Sequence, residues 1–180
     1  MRIVLIGIQG AGKSTQGNML AEALNVPYLS SGHIFREMAK EKTQTGRWLK
    51  ETLNTGSLIP DEMTIKIVSE YLEKPEYQNG FIIDGYPRTV PQAEVFSDGT
   101  EKAVFIDVSD KEALWRISGR EGDREDETLQ AIRRRIALFH ELTQEVINFY
   151  DERHNLIKVD GEQDVNTVFA NIMKSINSAA

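Results

Sequence analysis

Arg2-Ile3-Val4-Leu5-Ile6-Gly7-Ile8-Gln9-Gly10-Ala11-Gly12-Lys13-Ser14-Thr15 is the stretch on which the fold turns. Its first part is short and continuously apolar rather than alternating, which suits a strand buried on both faces of a parallel sheet. It runs directly into Gly7 to Ser14, which satisfies G-x-x-x-x-G-K-[ST] in full. Thr15 to Leu24 then reads as a helix with Met19, Leu20, Ala23 and Leu24 on one face. Glycines let successive backbone N–H groups turn inward around a phosphate, and the helix N-terminus adds positive potential. Lys13 would reach the outer phosphates, and the hydroxyl of Ser14, or of Thr15 beside it, would serve Mg²⁺.

Outward from this loop, four more short apolar runs read as strands: Pro27 to Leu29, Phe81 to Ile83, Ala103 to Val108 and Leu156 to Val159. Helical patterns separate them, so the reading is α/β with parallel crossovers. Two excursions stand out. Ser31 to Tyr71 is a long helical stretch without strands, interrupted at Asn54-Thr55-Gly56-Ser57, and Gly119 to Asp126 is polar and glycine-bearing. Asp84 closes the run Phe81-Ile82-Ile83, where an acid can organise Mg²⁺; a turn aspartate before Gly85 is the plainer alternative.

With 180 residues the prior is one domain, and the absence of cysteine excludes disulfides and thiolate metal sites. Net charge is −7, which argues against general nucleic-acid binding. No stretch has the apolar length of a membrane span, so the expectation is a cytoplasmic protein without membrane or nucleic-acid partners. Six of the 11 arginines fall between Arg116 and Arg135. On charge alone these read as a salt-bridged, solvated helix, given the acids among them. The stripe Ile132, Ile136, Phe139, Thr143, Val146 and Tyr150 places Arg135 at its edge and Arg134 roughly opposite. Arg135 either snorkels over the core edge or is held for a phosphate. His33, His140 and His154 read as surface or packing residues.

The run Asp84-Gly85-Tyr86-Pro87-Arg88-Thr89-Val90-Pro91-Gln92-Ala93 resembles the D-G-[FY]-P-R-T-x-x-Q-A segment of the adenylate kinases. Other stretches resemble that family too: the phosphate loop, Ser30-Ser31-Gly32 to Arg36, Gly56 to Pro60, Arg133 through Tyr150, and Val159-Asp160-Gly161. The resemblance implies a P-loop NTPase-type three-layer sandwich with a five-stranded parallel sheet. It implies a single domain over 1–180, an NMP-binding segment at 30–60 and a short lid at 119–127. The implied reaction is reversible transfer from MgATP to AMP, giving two ADP, in a monomer that uses Mg²⁺ and no zinc. The resemblance places Gly10, Ala11, Gly12, Lys13, Ser14, Thr15, Arg116, Arg120, Gly161 and Gln163 on ATP. It places Ser31, Gly32, Arg36, Ser57, Ile59, Gly85, Arg88 and Gln92 on AMP. Catalysis would fall to Lys13, Arg88, Arg120, Arg124 and Arg135, and the metal to Ser14 and Asp84, directly or through water.

The chain departs from the family's usual residues at several points. Gln9 stands where Pro is usual, Ser14 where Gly is, Ser31 where Thr is and His33 where an acid is. Only Glu121-Gly122-Asp123 separates Arg120 from Arg124, which resembles the short-lid members. A UMP or CMP kinase on the same fold is the nearest rival, against which Gln92 and Thr89 argue. A non-catalytic nucleotide binder would not need Lys13, Asp84 and the arginines together.

Overall fold

The computed structural model describes residues 1–99, 101–119 and 126–178. Five strands, β1 (Arg2–Ile6), β2 (Tyr28–Ser30), β3 (Phe81–Asp84), β4 (Glu101–Asp107) and β5 (Leu156–Asp160), form one sheet in the order β2-β3-β1-β4-β5. Every pairing is parallel, so each connection must cross a face of the sheet. The expected strands are present, with their ends shifted by a residue or two. Backbone hydrogen bonding rather than side-chain polarity sets those ends, which is why Ser30, Asp84 and Asp160 belong to strands.

Period two explains why the central strand is apolar throughout. Ile3 and Leu5 face one core with Ile82, Val104 and Ile106, while Val4 and Ile6 face the other with Ile83 and Ala103. The first core is closed by α1 (Lys13–Leu24) and, later in the chain, α9 (Val165–Ser178), through Leu20, Val168, Ile172 and Ile176. Ala113 of α6 (Asp110–Ser118) joins the same side. The second core takes in α2 (Ser31–Ala39), α3 (Gln44–Asn54), α4 (Asp61–Leu72), α5 (Val90–Phe96) and α8 (Gln144–Glu152), through residues such as Phe35, Leu49, Val68, Ala93 and Val146. Between α7 (Leu129–Leu138) and α8, Phe139–Thr143 forms a π-helical turn.

The face expected for α1 needs correcting. Its buried residues are Gln16, Gly17 and Leu20, and Ala23 is exposed. Gly17 is buried because the Tyr28 ring fills the notch beside it: a Cβ there would lie 2.4 Å from Cε2. An apolarity count cannot see a glycine used as a socket. The stripe across α7 and α8 is as expected: Ile132, Thr143, Val146 and Tyr150 are buried and Arg134 is exposed.

After β1 the chain passes to β2 and β3 on one side, then crosses to β4 and β5 on the other. The sheet therefore has its switch point at the carboxyl end of β1, where diverging crossovers leave a crevice. The loop Gly7 to Gly12 lies there.

Candidate active site

The glycine loop is shaped by close backbone approach. Gly10 has φ +96°, and a Cβ on it would lie 2.6 Å from the carbonyl oxygen of Ala113 in α6. Gly12, also at positive φ, is the N-cap of α1 and supplies no side-chain cap, so the first N–H groups of a 12-residue helix stay open toward the crevice. Lys13 Nζ arches back and donates to the carbonyls of Gly7 (2.8 Å) and Ile8 (2.9 Å). Ser14 and Thr15 are exposed in the first turn, and Ala11 is buried.

Across the crevice, Asp84 ends β3 beside Leu5 and Ser30. The hydroxyl of Tyr28 donates to Asp84 Oδ2 at 3.0 Å. Burial and then the Asp84 charge push the Tyr28 phenol far up, so it remains a donor. Beyond Asp84, Gly85 turns the chain at φ +79°, and its carbonyl accepts from Ser31 Oγ and Arg88 Nε, both at 2.8 Å. Thr143, at the end of the π turn, donates its hydroxyl to the Arg88 carbonyl (3.1 Å).

Cations dominate this crevice. Burial lowers the pKa of Arg88, Asp84 opposes that shift, and Arg135 and Arg36 depress it further. Arg36, Arg88 and Arg135 all line one cleft, an arrangement suited to a shared polyanion. Arg135 reaches in from α7, held by Asp126 Oδ2 at 2.6 Å and the Leu53 carbonyl at 3.0 Å. Its side chain is 14% exposed and that of Asp126 8%, so it is held near the core by a carboxylate and not merely snorkelling.

One cleft is lined by Gly10, Gly12, Lys13, Ser14, Ser31, Gly32, Arg36, Ser57, Ile59, Asp84, Gly85, Arg88, Gln92 and Arg135. Most of the expected site residues therefore meet. Ala11 and Thr15 sit in the same loop and helix without lining it. Arg116 and Gly161 lie elsewhere but together: Arg116 Nη2 donates to the Gly161 carbonyl (2.9 Å), and its Nε pairs with Glu112 (2.7 Å). Gln163 is exposed and donates to Asp160. Arg120 and Arg124 lie outside the described residues. Sequence reasoning missed Gln9, whose Nε2 donates to Glu127 (3.1 Å), along with Asp126, Tyr28, Thr143 and Asp61. Gln9 and Thr143 stand in the loop motif and the helical stripe, but nothing local shows the partner that holds each of these side chains. His33 and His154 are exposed, and His140 is exposed and paired with Asp110 (2.8 Å).

The family model for adenylate kinase matches residues 5–155, spanning the loop, the cleft and α7. The chain belongs to the adenylate kinase family. Curated adenylate kinases align along nearly the whole chain. That of Ruminiclostridium cellulolyticum is 34% identical over 98% of this chain and 99% of its own length. That of Listeria innocua serovar 6a is 35% identical over 99% and 100%. That of Clostridium botulinum (strain Hall) is 36% identical over 96% of each. The Ruminiclostridium alignment runs over 212 positions against the 180 residues here, so this adenylate kinase family member lacks residues its relative carries. The family assigns phosphotransferase activity on nucleotides, and a P-loop facing an arginine cluster on a parallel α/β sheet is an arrangement suited to it.

Proposed function

We propose that the cleft transfers the terminal phosphoryl group of MgATP to AMP, with donor and acceptor phosphates meeting between Lys13 and the arginines. The observation that carries this reading is the convergence of Arg36, Arg88 and Arg135 on a cleft floored by the glycine loop. On this reading an oxygen of the AMP α-phosphate attacks the γ-phosphorus in line, and the bond to the β–γ bridging oxygen breaks. The pair of electrons leaves on ADP, and no general base is needed because the attacking oxygen is already anionic. Catalysis is then alignment and stabilisation of charge on the moving group.

The roles divide by position. The loop N–H groups, Lys13 and Ser14 hold the donor phosphates; Arg36 and Arg88 hold the acceptor phosphate; Arg135, with Arg120 and Arg124, meets the transferring group. Ser31, Gly32, Ser57, Ile59, Gly85 and Gln92 enclose the acceptor nucleoside. Arg116, Gly161 and Gln163 serve the donor base. The residues fit Mg²⁺: Ser14 and Asp84 offer hard oxygen donors, and Tyr28 occupies only Oδ2 of Asp84. Ser14 and Asp84 would hold the ion, directly or through water, and it would supply neutralisation of negative charge on the donor phosphates. Residues 30–60 act as the NMP-binding segment and 119–127 as a short lid, in a cytoplasmic monomer. A coupled assay with AMP, CMP, UMP, GMP and dTMP tests this: AMP is expected to be the preferred acceptor by at least tenfold in kcat/KM. Preference for a pyrimidine monophosphate overturns it in favour of a UMP or CMP kinase.

A further inference from the structure

The amide of Gln92 is pinned at both ends by different elements. Its Oε1 accepts from the backbone N–H of Arg88 at 2.8 Å, and its Nε2 donates to Asp61 Oδ1 at 2.7 Å. Asp61 is the first residue of α4, which follows the segment Ser57 to Pro60 across the cleft from α5. Gln92 itself is 2% exposed, so water cannot substitute for a lost partner without cost. Turning the amide over would set its NH₂ against the Arg88 N–H and its oxygen against the Asp61 carboxylate. Both ends would then repel, and the carboxylate, which only accepts, contributes the larger share. The neighbourhood is fixed as well. Tyr86 Oη donates to the main-chain carbonyl of Gln92, and burial followed by the Asp61 charge pushes that phenol up to about 12.

A primary amide has two N–H donors and two acceptor lone pairs. With one of each taken, Gln92 presents one N–H and one lone pair in a fixed order. That order matches a purine edge with an acceptor ring nitrogen beside an exocyclic amino group. It opposes an edge with a ring N–H beside a keto oxygen. We propose that Asp61 is a positioning residue that sets the donor–acceptor order of Gln92, and through it makes the acceptor site select 6-amino over 6-keto purine monophosphates. This rests on the reading of Gln92 as a base-contacting residue.

Asp61→Asn replaces a pure acceptor with a group that can accept or donate, so the larger of the two penalties on a turned Gln92 amide is removed and only the Arg88 N–H still opposes it. The expected result is a kcat/KM ratio of AMP to IMP that falls about tenfold, the worth of one charge-assisted hydrogen bond. Most of the change is expected in KM for the monophosphate and little in KM for ATP. Asp61→Glu, which keeps the pure acceptor, is expected to retain most of the discrimination. In a Gln92→Ala background, Asp61→Asn is expected to change the ratio no further. Asp61→Ser, equally ambivalent, replaces Asp61→Asn if that variant melts early. A full AMP:IMP ratio in folded Asp61→Asn or Asp61→Ser, with a reduced ratio in Gln92→Ala, overturns the role of Asp61 alone. An unchanged ratio in Gln92→Ala overturns the base-contact reading and this proposal with it. A wild-type protein that makes no ADP from ATP and AMP overturns the reaction itself.

Discussion

On the proposed reaction two side chains carry much of the chemistry, and each is held in place by described hydrogen bonds. Lys13 lies against the carbonyls of its own loop, so it is already at the rim where the phosphates enter. Lys13→Ala is expected to lower kcat on the order of 10²–10³-fold, the loss typical of one preorganised donor at developing charge. The melting temperature is expected to stay near that of the wild type, since the described hydrogen bonds of Lys13 run to carbonyls of its own loop; near-normal kcat in the folded variant refutes the role. Arg135 Nη2 donates to both Asp126 and Leu53, and the planar guanidinium carries further N–H donors in a fixed plane that a lysine does not have. Arg135→Lys is therefore expected to cut kcat strongly, whereas Arg134→Ala, one residue away and exposed, is expected to change it less than twofold. Equal losses would mean that α7 presents a different face to the nucleotide. The phase of α7 was readable from the spacing of Ile132, Ile136 and Phe139. The carboxylate holding Arg135 was not, because Asp126 lies nine residues away along a chain whose path periodicity does not describe.

At the level of elements, strands and loop were legible because one physical rule covers each. Burial on both faces makes β1 apolar throughout, and a phosphate cradle demands Gly10, Gly12 and Lys13 at set spacing. Illegible were the joints, where backbone meets backbone. Gly56, after α3 at φ +74°, lies so close to α7 that a Cβ would come within 2.3 Å of the Ala131 carbonyl. Arg135 adds a second tie from α7 to α3 through the Leu53 carbonyl. The segment α2 to α4 thus rests on the very helix that carries Arg135, so an anion held by Arg36 and Arg135, as proposed, would pull on one joint. Diadenosine pentaphosphate, which spans both nucleotide sites, is expected to slow amide exchange across α2, α3 and the Gly56 turn as well as in the phosphate loop. Slowing confined to the loop would show that the segment does not close on the acceptor.

For the molecule as a whole, the question is how a site built for ATP avoids spending it on water. Transfer to a phosphate in competition with water at 55 M requires exclusion of solvent at the moment of reaction. On the proposed function two segments would supply it: the helical segment α2 to α4, and residues 119–127, read from the sequence as a short lid. The second is short, and the curated relative aligned over 212 positions is longer than this chain. If Arg120 and Arg124 serve the phosphates as proposed, a short segment still suits them, because an arginine side chain is long and its charge does not titrate away. Affinity is thus expected to survive the shortening better than water exclusion does. The measurable consequence is phosphate release from ATP without AMP, at a low rate that exceeds the rate of the longer relative under the same conditions. Release is expected to fall when a non-reactive AMP analogue fills the acceptor site, since α2 to α4 would then close over the place the water takes. Phosphate release no faster than the longer relative's would mean that α2 to α4 excludes water unaided. In that case the short segment serves only to carry Arg120 and Arg124, and replacing Glu121-Gly122-Asp123 with another flexible triplet is expected to leave both transfer and leakage unchanged.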